Sequence, residues 1–281
     1  MKGKIVLVTG SSSGIGFETA KALAQMGAEV ILAARSEDKL KEAVAAIKEA
    51  TGNEKLKYYT ADFSSQKSVR ALAVQVKKDY TKLDVLVNNA GGVFPQFKLN
   101  EDGLEMTIGT NHFAYFLLTN LLLDLLKKAD SARIVSVASD SHYQGKIDFE
   151  SFKKDKGYFI LKAYAQSKLA NVLFTAELAE RLQGTRITAN SLHPGFVKTD
   201  IGNKDTQWFA KLFWTLSSRI AGRSVANGAK TSIYLASSSA VNGVTGRYFN
   251  KCKVQEEAPL AKDKQLQKEL WRISEELCPL N

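Results

Sequence analysis

Tyr164-Ala-Gln-Ser-Lys168 lies inside a stretch with good helical patterning, so a phenol and an ammonium sit one turn apart on the same face. That pairing has a chemical use. A free tyrosine titrates near pH 10, and exchanging its proton near neutral pH needs a drop of about 3 units, or roughly 4 kcal/mol. A nearby ammonium supplies part of that drop by favouring the phenolate. The same spacing also describes an exposed Tyr and Lys on a helix surface, so the pair needs support from the rest of the chain.

A second candidate is the run Lys4-Ile-Val-Leu-Val-Thr-Gly-Ser-Ser-Ser-Gly-Ile-Gly16. Residues 5–8 are apolar and mostly β-branched, which suits a strand buried on both faces of a parallel sheet. A glycine-rich turn follows, and helix formers then run up to Gly27, a helix-closing glycine. Strand, glycine turn and helix N-terminus in that order make an anion site, because unpaired N–H groups and the positive dipole end face the turn. The expected guest is a dinucleotide pyrophosphate. Gly10, Gly14 and Gly16 depart from the G-x-G-x-x-G spacing, however, and the stretch alone also fits a tight connection with no ligand.

The elements that must position these groups alternate along the chain. Further strands are predicted at residues 29–34, 56–60, 84–87, 133–137, 186–192 and 247–249. Helices are predicted after Ser36 to about residue 50, from Ser64 or Ser65 to about 80, and over 102–128, 158–182 and 224–237. This alternation argues for a single doubly wound α/β domain over residues 1–281, with a mostly parallel sheet in the order 3-2-1-4-5-6-7 and helices on both faces. Residues 260–281 would form a C-terminal helical tail. Ligands in such a sheet bind at the carboxyl ends of the strands. The polar residues to watch are therefore those at 11–16, Arg35, Asp62, those at 88–91, Ser139 and those at 193–199.

Composition narrows the function classes. With 281 residues and 44% apolar content the chain can bury a large core. The longest apolar stretch, residues 113–126, is interrupted by Thr119, Asn120 and Asp124, so no membrane span is expected. Cys252 and Cys278 stand far apart, which argues against a disulfide framework or a zinc site and for a cytoplasmic setting. The net charge of +10 raises nucleic acid as a partner, but Lys and Arg are interleaved with Asp and Glu and form no basic arm or recognition helix. No nucleic-acid partner is expected, and the basic surface suits an anionic cofactor.

The chain resembles the short-chain dehydrogenase/reductase family over nearly its whole length. The resemblance rests on Thr9-Gly10-Ser11-Ser12-Ser13-Gly14-Ile15-Gly16, Asp62, Asn88-Asn89-Ala90-Gly91, Asn111, Ser139, Tyr164 with Lys168, and Pro194-Gly195-Phe196-Val197-Lys198-Thr199. The runs that begin at Asn111 and at Tyr164 further resemble the retinol dehydrogenase-like branch, although no WW domain like that of its WW-domain oxidoreductases precedes them. The resemblance implies a Rossmann-fold oxidoreductase acting on CH–OH groups. It makes Tyr164 the proton donor in carbonyl reduction and the base in alcohol oxidation, with Lys168 lowering its pKa and holding the nicotinamide ribose. Ser139 would hold the substrate oxygen as charge develops on it, with Ser141 as the alternative, and Asn111 would hold a relay water. The cofactor would lie against residues 10–16 (Gly10, Ser11, Ser12, Ser13, Gly14, Ile15, Gly16), Asp62, Phe63, Asn89, Ala90, Gly91, Pro194, Gly195, Val197 and Thr199.

Cofactor choice is read after the second strand. An NAD site offers an acidic residue there, whereas this chain has Ala33-Ala34-Arg35-Ser36, and Arg35 suits a 2′-phosphate. NADP(H) is preferred, with NAD(H) as the alternative because Ser13 brings no second cation. Residues 201–221, with Trp208, Phe209, Phe213 and Trp214, read as a lid over a hydrophobic substrate of retinoid, steroid or lipid-aldehyde type, or as a peripheral membrane contact. The family implies homo-oligomers that pair through the helices at 102–128 and 158–182. The competing reading is a catalytically silent dinucleotide sensor. His142 reads as a solvated loop residue, and His112 and His193 lack the partners for a metal or a triad, so no metal is expected.

Overall fold

Runs of Val, Ile, Leu and Ala become parallel strands here because a strand covered on both faces has no polar side with which to alternate. In the computed structural model, which describes residues 1–195 and 225–280, these strands are β1 (Ile5–Thr9), β2 (Glu29–Ala34), β3 (Leu56–Thr60), β4 (Val85–Asn88), β5 (Ala132–Val137), β6 (Ile187–His193) and β7 (Tyr248–Asn250). Their order is β3-β2-β1-β4-β5-β6-β7, as expected, and an eighth strand, β8 (Lys253–Gln255), adds antiparallel to β7. The sequence did not announce β8. Its two-residue turn is Lys251-Cys252, both with left-handed φ (51° and 61°). Such a hairpin is usually marked by Asn-Gly, and this one is not.

Helices cover both faces. Val6, Val8, Val30, Leu32, Val85 and Val87 point toward α1 (Gly14–Gln25), α2 (Glu37–Thr51) and α6 (Val225–Ser237). Leu7, Ile31 and Leu86 point the other way, toward α3 (Gln66–Asp79), the helical run α4, and α5 (Ile160–Arg181). Capping follows the sequence. Ser36 Oγ accepts from Lys39 N–H at the start of α2, and Gly52, at φ 67°, closes it.

The expected single helix over 102–128 is corrected in two ways. It starts later, because Glu105 accepts from the Thr107 and Ile108 amides (2.7 and 3.0 Å) and so caps the helix at Met106. It is also not α-helical throughout. α4 comprises Met106–Ile108, a π-helical stretch Gly109–Phe113, and Ala114–Lys127. A π-turn inserts one extra residue per turn and re-aims the side chains that follow, here at Asn111.

The C-terminal segment is a packed helix, α7 (Lys264–Leu277), started by Asp263, which accepts from Gln265 and Leu266. Trp271 is buried. It stacks on Phe174 of α5 (5.8 Å, 19°), meets Phe116 of α4 edge-on at 5.0 Å, and has the Arg181 guanidinium 4.2 Å above its ring. α7 thus packs chiefly on α5, with Phe116 and His112 of α4 also reaching it. No helix among the described residues is long and apolar enough to cross a membrane. Trp271→Ala is expected to remove about 3–5 kcal/mol of stability, read from urea midpoints. A loss below about 1 kcal/mol would mean that α7 is only loosely docked.

Candidate active site

β1 ends in Thr9, and the chain then turns on Gly10 (φ 65°) and Gly14 (φ 62°) into α1. The turn lies against the end of β4 so closely that a Cβ at Gly10 would sit 2.8 Å from the Ala90 Cα, and one at Gly16 would meet the Gly10 carbonyl and the Asn89 side chain. Thr9, which sequence reasoning left out of the site, ties the two strand ends together. Its hydroxyl accepts from the amides of Asn89 (2.8 Å) and Ala90 (2.9 Å) and donates to the Val87 carbonyl (3.2 Å), while Asn89 Nδ2 donates to the Thr9 carbonyl (2.8 Å).

Ser11 is fully buried; its hydroxyl donates to the Val8 carbonyl (2.8 Å) and accepts from Ala33 N–H (3.0 Å), so it braces the turn from within. Ser13 takes the N-cap position of α1 but makes no capping bond, which leaves first-turn amides at Gly14, Ile15 and Gly16 for a ligand's oxygens. This cradle fits a pyrophosphate. At the end of β3, Asp62 Oδ1 accepts from Ser64 N–H and Oγ (2.9 and 2.7 Å), and Phe63 packs into the core. Arg35 is exposed just after β2 and, among the described residues, pairs with no carboxylate; nearby Glu37 is held by Lys41 at 2.9 Å.

The second half of the site lies between β5 and α5. Ser139 follows β5 directly and lies beside Tyr164, whose pKa it pulls down slightly. It also accepts from Ser141 N–H and donates to Ser141 Oγ, both at 3.2 Å, so Ser141 supports Ser139 from the side. Lys168 Nζ donates to the Val137 carbonyl (3.1 Å) and lies 5.5 Å from the centroid of the Tyr164 ring. Asn111 is buried in the π-turn and straps the loop after β4 to α5. Its Oδ1 accepts from Gly92 N–H (2.8 Å), and its Nδ2 donates to the Gly92 carbonyl and to Ser167 Oγ, both at 3.0 Å. Ser167 in turn donates to the Tyr164 carbonyl (2.8 Å). Both Nδ2 hydrogens of Asn111 are thus engaged by the protein.

Two further residues come to light here. Gly145 lets the turn after Ser139 lie on α5: a Cβ there would come within 2.7 Å of both the Ala165 carbonyl oxygen and the Leu169 Cβ. His142 corrects the expectation of a solvated loop residue, being fully buried against Tyr143 and Tyr248. Pro194 and Gly195 (φ 87°) follow β6 as expected. Val197, Thr199 and the 201–221 segment lie outside the described residues. Among the described residues no cluster of acidic, His or Cys groups could hold a metal.

The sequence pattern of the short chain dehydrogenase family matches residues 4–210, across both halves of this site. The chain belongs to that family. It is 42% identical to retinol dehydrogenase 14 of Mus musculus, covering 98% of this chain and 86% of that one, and 39% identical to retinol dehydrogenase 11 of Homo sapiens, covering 100% and 87%. Among solved structures it is similar to a protein from Mycobacterium paratuberculosis (TM-score 0.77, 31% identity, 99% and 94% covered). It is also similar to a short chain dehydrogenase from Escherichia coli CFT073 complexed with NADPH (TM-score 0.71, 28% identity, 90% and 98% covered).

In this short chain dehydrogenase the two titratable groups shift in directions that the Tyr-Lys spacing alone did not suggest. Burial pushes Tyr164 up to about 12, against a smaller downward pull from Ser139. Burial also pulls Lys168 down to about 8. The expected lowering of Tyr164 by the ammonium is absent from the protein by itself. Lys168 Nζ is tied to the Val137 carbonyl, and desolvation dominates the Tyr164 shift.

The Lys168 shift has a stability consequence. Between about pH 8 and the ordinary 10.5 the unfolded chain holds a proton that the folded chain has released, so stability rises with pH through that window. At pH 7 the buried ammonium then costs about 3 kcal/mol. Lys168→Met, without cofactor, is expected to be more stable than the wild type by up to about 3 kcal/mol at pH 7, with the gain fading toward pH 10.5. Equal urea midpoints at pH 7 would refute it. Gly145→Ala is expected to lose about 1–3 kcal/mol through overpacking and to lower turnover more than cofactor affinity, because the clash lies beside Tyr164 rather than at the glycine turn.

Proposed function

We propose that this dehydrogenase reduces an apolar carbonyl compound to its alcohol with NADPH. The carrying observation is a buried Tyr164, kept protonated by that burial, beside Ser139 and with Lys168 5.5 Å from its ring centroid. At a pKa of about 12 the phenol is almost wholly neutral at pH 7 and ready to donate.

Residues 10–16, Arg35, Asp62, residues 89–91, Lys168, Pro194 and Gly195 would hold NADPH, which supplies the hydride when bound. Tyr164 gives its phenolic proton to the carbonyl oxygen as that oxygen takes on negative charge, so hydride and proton together make the alcohol. Ser139 holds the same oxygen by donating its hydroxyl hydrogen, which Ser141 Oγ accepts in the resting protein. The Lys168 ammonium, mostly charged at pH 7, steadies the phenolate left on Tyr164. Preference for the 2′-phosphate rests on Arg35, exposed after β2 with no carboxylate partner among the described residues.

An apolar substrate is supported by the relatives, whose names make retinol, a long apolar alcohol, their substrate.

Tyr164→Phe is expected to lower kcat about a thousandfold while the NADPH Kd stays within about threefold. Near-normal kcat would remove Tyr164 from its role. Arg35→Ala is expected to weaken NADPH about tenfold and leave NADH unchanged. Tighter NADH than NADPH binding by the wild type would overturn the cofactor assignment. Across straight-chain aldehydes kcat/KM is expected to rise about fourfold per added methylene until the site is filled. A flat series would count against an apolar site.

A further inference from the structure

The last ladder bond of β5 runs from Ala138 N–H to the Leu192 carbonyl (2.8 Å), and Ser139 is the first residue beyond it. Something other than the sheet must therefore fix the Ser139 backbone, and with it the direction of the hydroxyl that meets Tyr164. His142 is fully buried one turn later in the 3₁₀ stretch Asp140–Gln144. Its Nε2 lies 3.1 Å from the Ala258 N–H and its Nδ1 lies 2.8 Å from the Ser139 carbonyl. An amide N–H can only donate, so Nε2 accepts, and the ring proton sits on Nδ1 and is donated to Ser139. The tautomer is fixed by the chain. Burial also holds the pKa of His142 below its ordinary 6.5, which keeps this neutral form.

The same turn is gripped at two more points by the β7–β8 hairpin and the segment behind it. Tyr248 donates to Asp140 Oδ1 (2.7 Å), and Tyr143 donates to the Glu256 carbonyl while accepting from Gln255 Nε2 (2.8 Å). The titratable groups around His142 are Asp140 and Glu257, the stacked Tyr143 and Tyr248 rings, and, beyond Ser139, Tyr164 and Lys168 of α5.

The geometry points to His142 as a positioning residue for catalysis. By accepting from Ala258 and donating to Ser139, it transmits the C-terminal segment's hold on the fold to the serine hydroxyl that orients Tyr164. The inference rests on the reductase reading above. It touches neither the glycine turn nor Arg35, so its loss affects the proton-transfer half alone.

His142→Phe keeps the ring stacking and removes both hydrogen bonds, whereas His142→Asn keeps a donor close to the Nδ1 position. In His142→Phe, kcat for carbonyl reduction is expected to fall at least about tenfold with the NADPH Kd within about threefold, and amide hydrogen exchange across residues 139–144 is expected to quicken at least about tenfold. His142→Asn is expected to return kcat to within about threefold of the wild type. If His142→Phe does not fold, Ala258→Pro serves in its place: the Ala258 φ of −55° suits proline, and the change deletes the partner N–H. It must lower kcat in the same way.

Wild-type kcat in His142→Phe, no recovery in His142→Asn, or a parallel loss of NADPH affinity would each overturn the inference. Failure of the wild type itself to reduce any carbonyl would fault the reductase reading, and the exchange measurement would then judge the anchor by itself.

Discussion

Everything at this site depends on two parallel strands, β1 and β4, ending in van der Waals contact. The turn leaving β1 passes so close to Ala90 that no side chain fits at Gly10, and the Thr9 hydroxyl meets the Asn89 and Ala90 amides where the ladder ends. Because β4 is paired with β5 at Asn88 and Ser136, fixing β4 also fixes the level at which β5 stops, and Ser139 follows three residues later. The Val137 carbonyl on that strand then meets Lys168. Cofactor cradle and proton-transfer residues thus share one reference, the common end of three strands.

Burial is the second constraint, and it works against easy ionisation. Tyr164 and Lys168 are both shifted toward their neutral forms; the Lys168 shift destabilises the fold at pH 7, and the pair leaves an acid and a nearby weak cation in a dry site. An ammonium in water would interact with a phenolate 5 Å away by about 1 kcal/mol, and by several times that in a desolvated site. The same desolvation that raises the Tyr164 pKa therefore makes the later pairing of phenolate with ammonium stronger. The π-turn in α4 belongs to this economy of positions, since it aims Asn111 at the Gly92 backbone and at Ser167 without disturbing the helix that continues to Lys127.

What could be read in the chain was what short-range chemistry dictates. The glycines of the first turn, the cap at Ser36, the apolar strands and the Tyr-x-x-x-Lys spacing each act within a few residues, and each stands where expected. What could not be read depends on contacts between distant segments. His142 has the neighbours of an exposed loop histidine, and only Ala258, more than a hundred residues on, makes it a core residue. Gly145 gives no turn signal because its φ is ordinary and its need for a hydrogen side chain comes from Ala165 and Leu169 on another element. β8 was hidden by left-handed Lys251 and Cys252, residue types that seldom adopt that conformation.

Contacts between distant segments close both halves of the site. The half that would bind a dinucleotide draws mostly on residues 9–16, 35, 62 and 88–91 at the ends of the first four strands, with Lys168, Pro194 and Gly195 added from α5 and the end of β6, and its helix α1 rests on α6. The half that moves the proton is completed only when the C-terminal third arrives. α7 covers α4 and α5 through Trp271, and the segment from Tyr248 to Ala258 grips the turn that carries Ser139. Both halves therefore draw on the C-terminal third, the cradle through Ala229 of α6 against Ile15 and the proton-transfer half through Ala258 against His142.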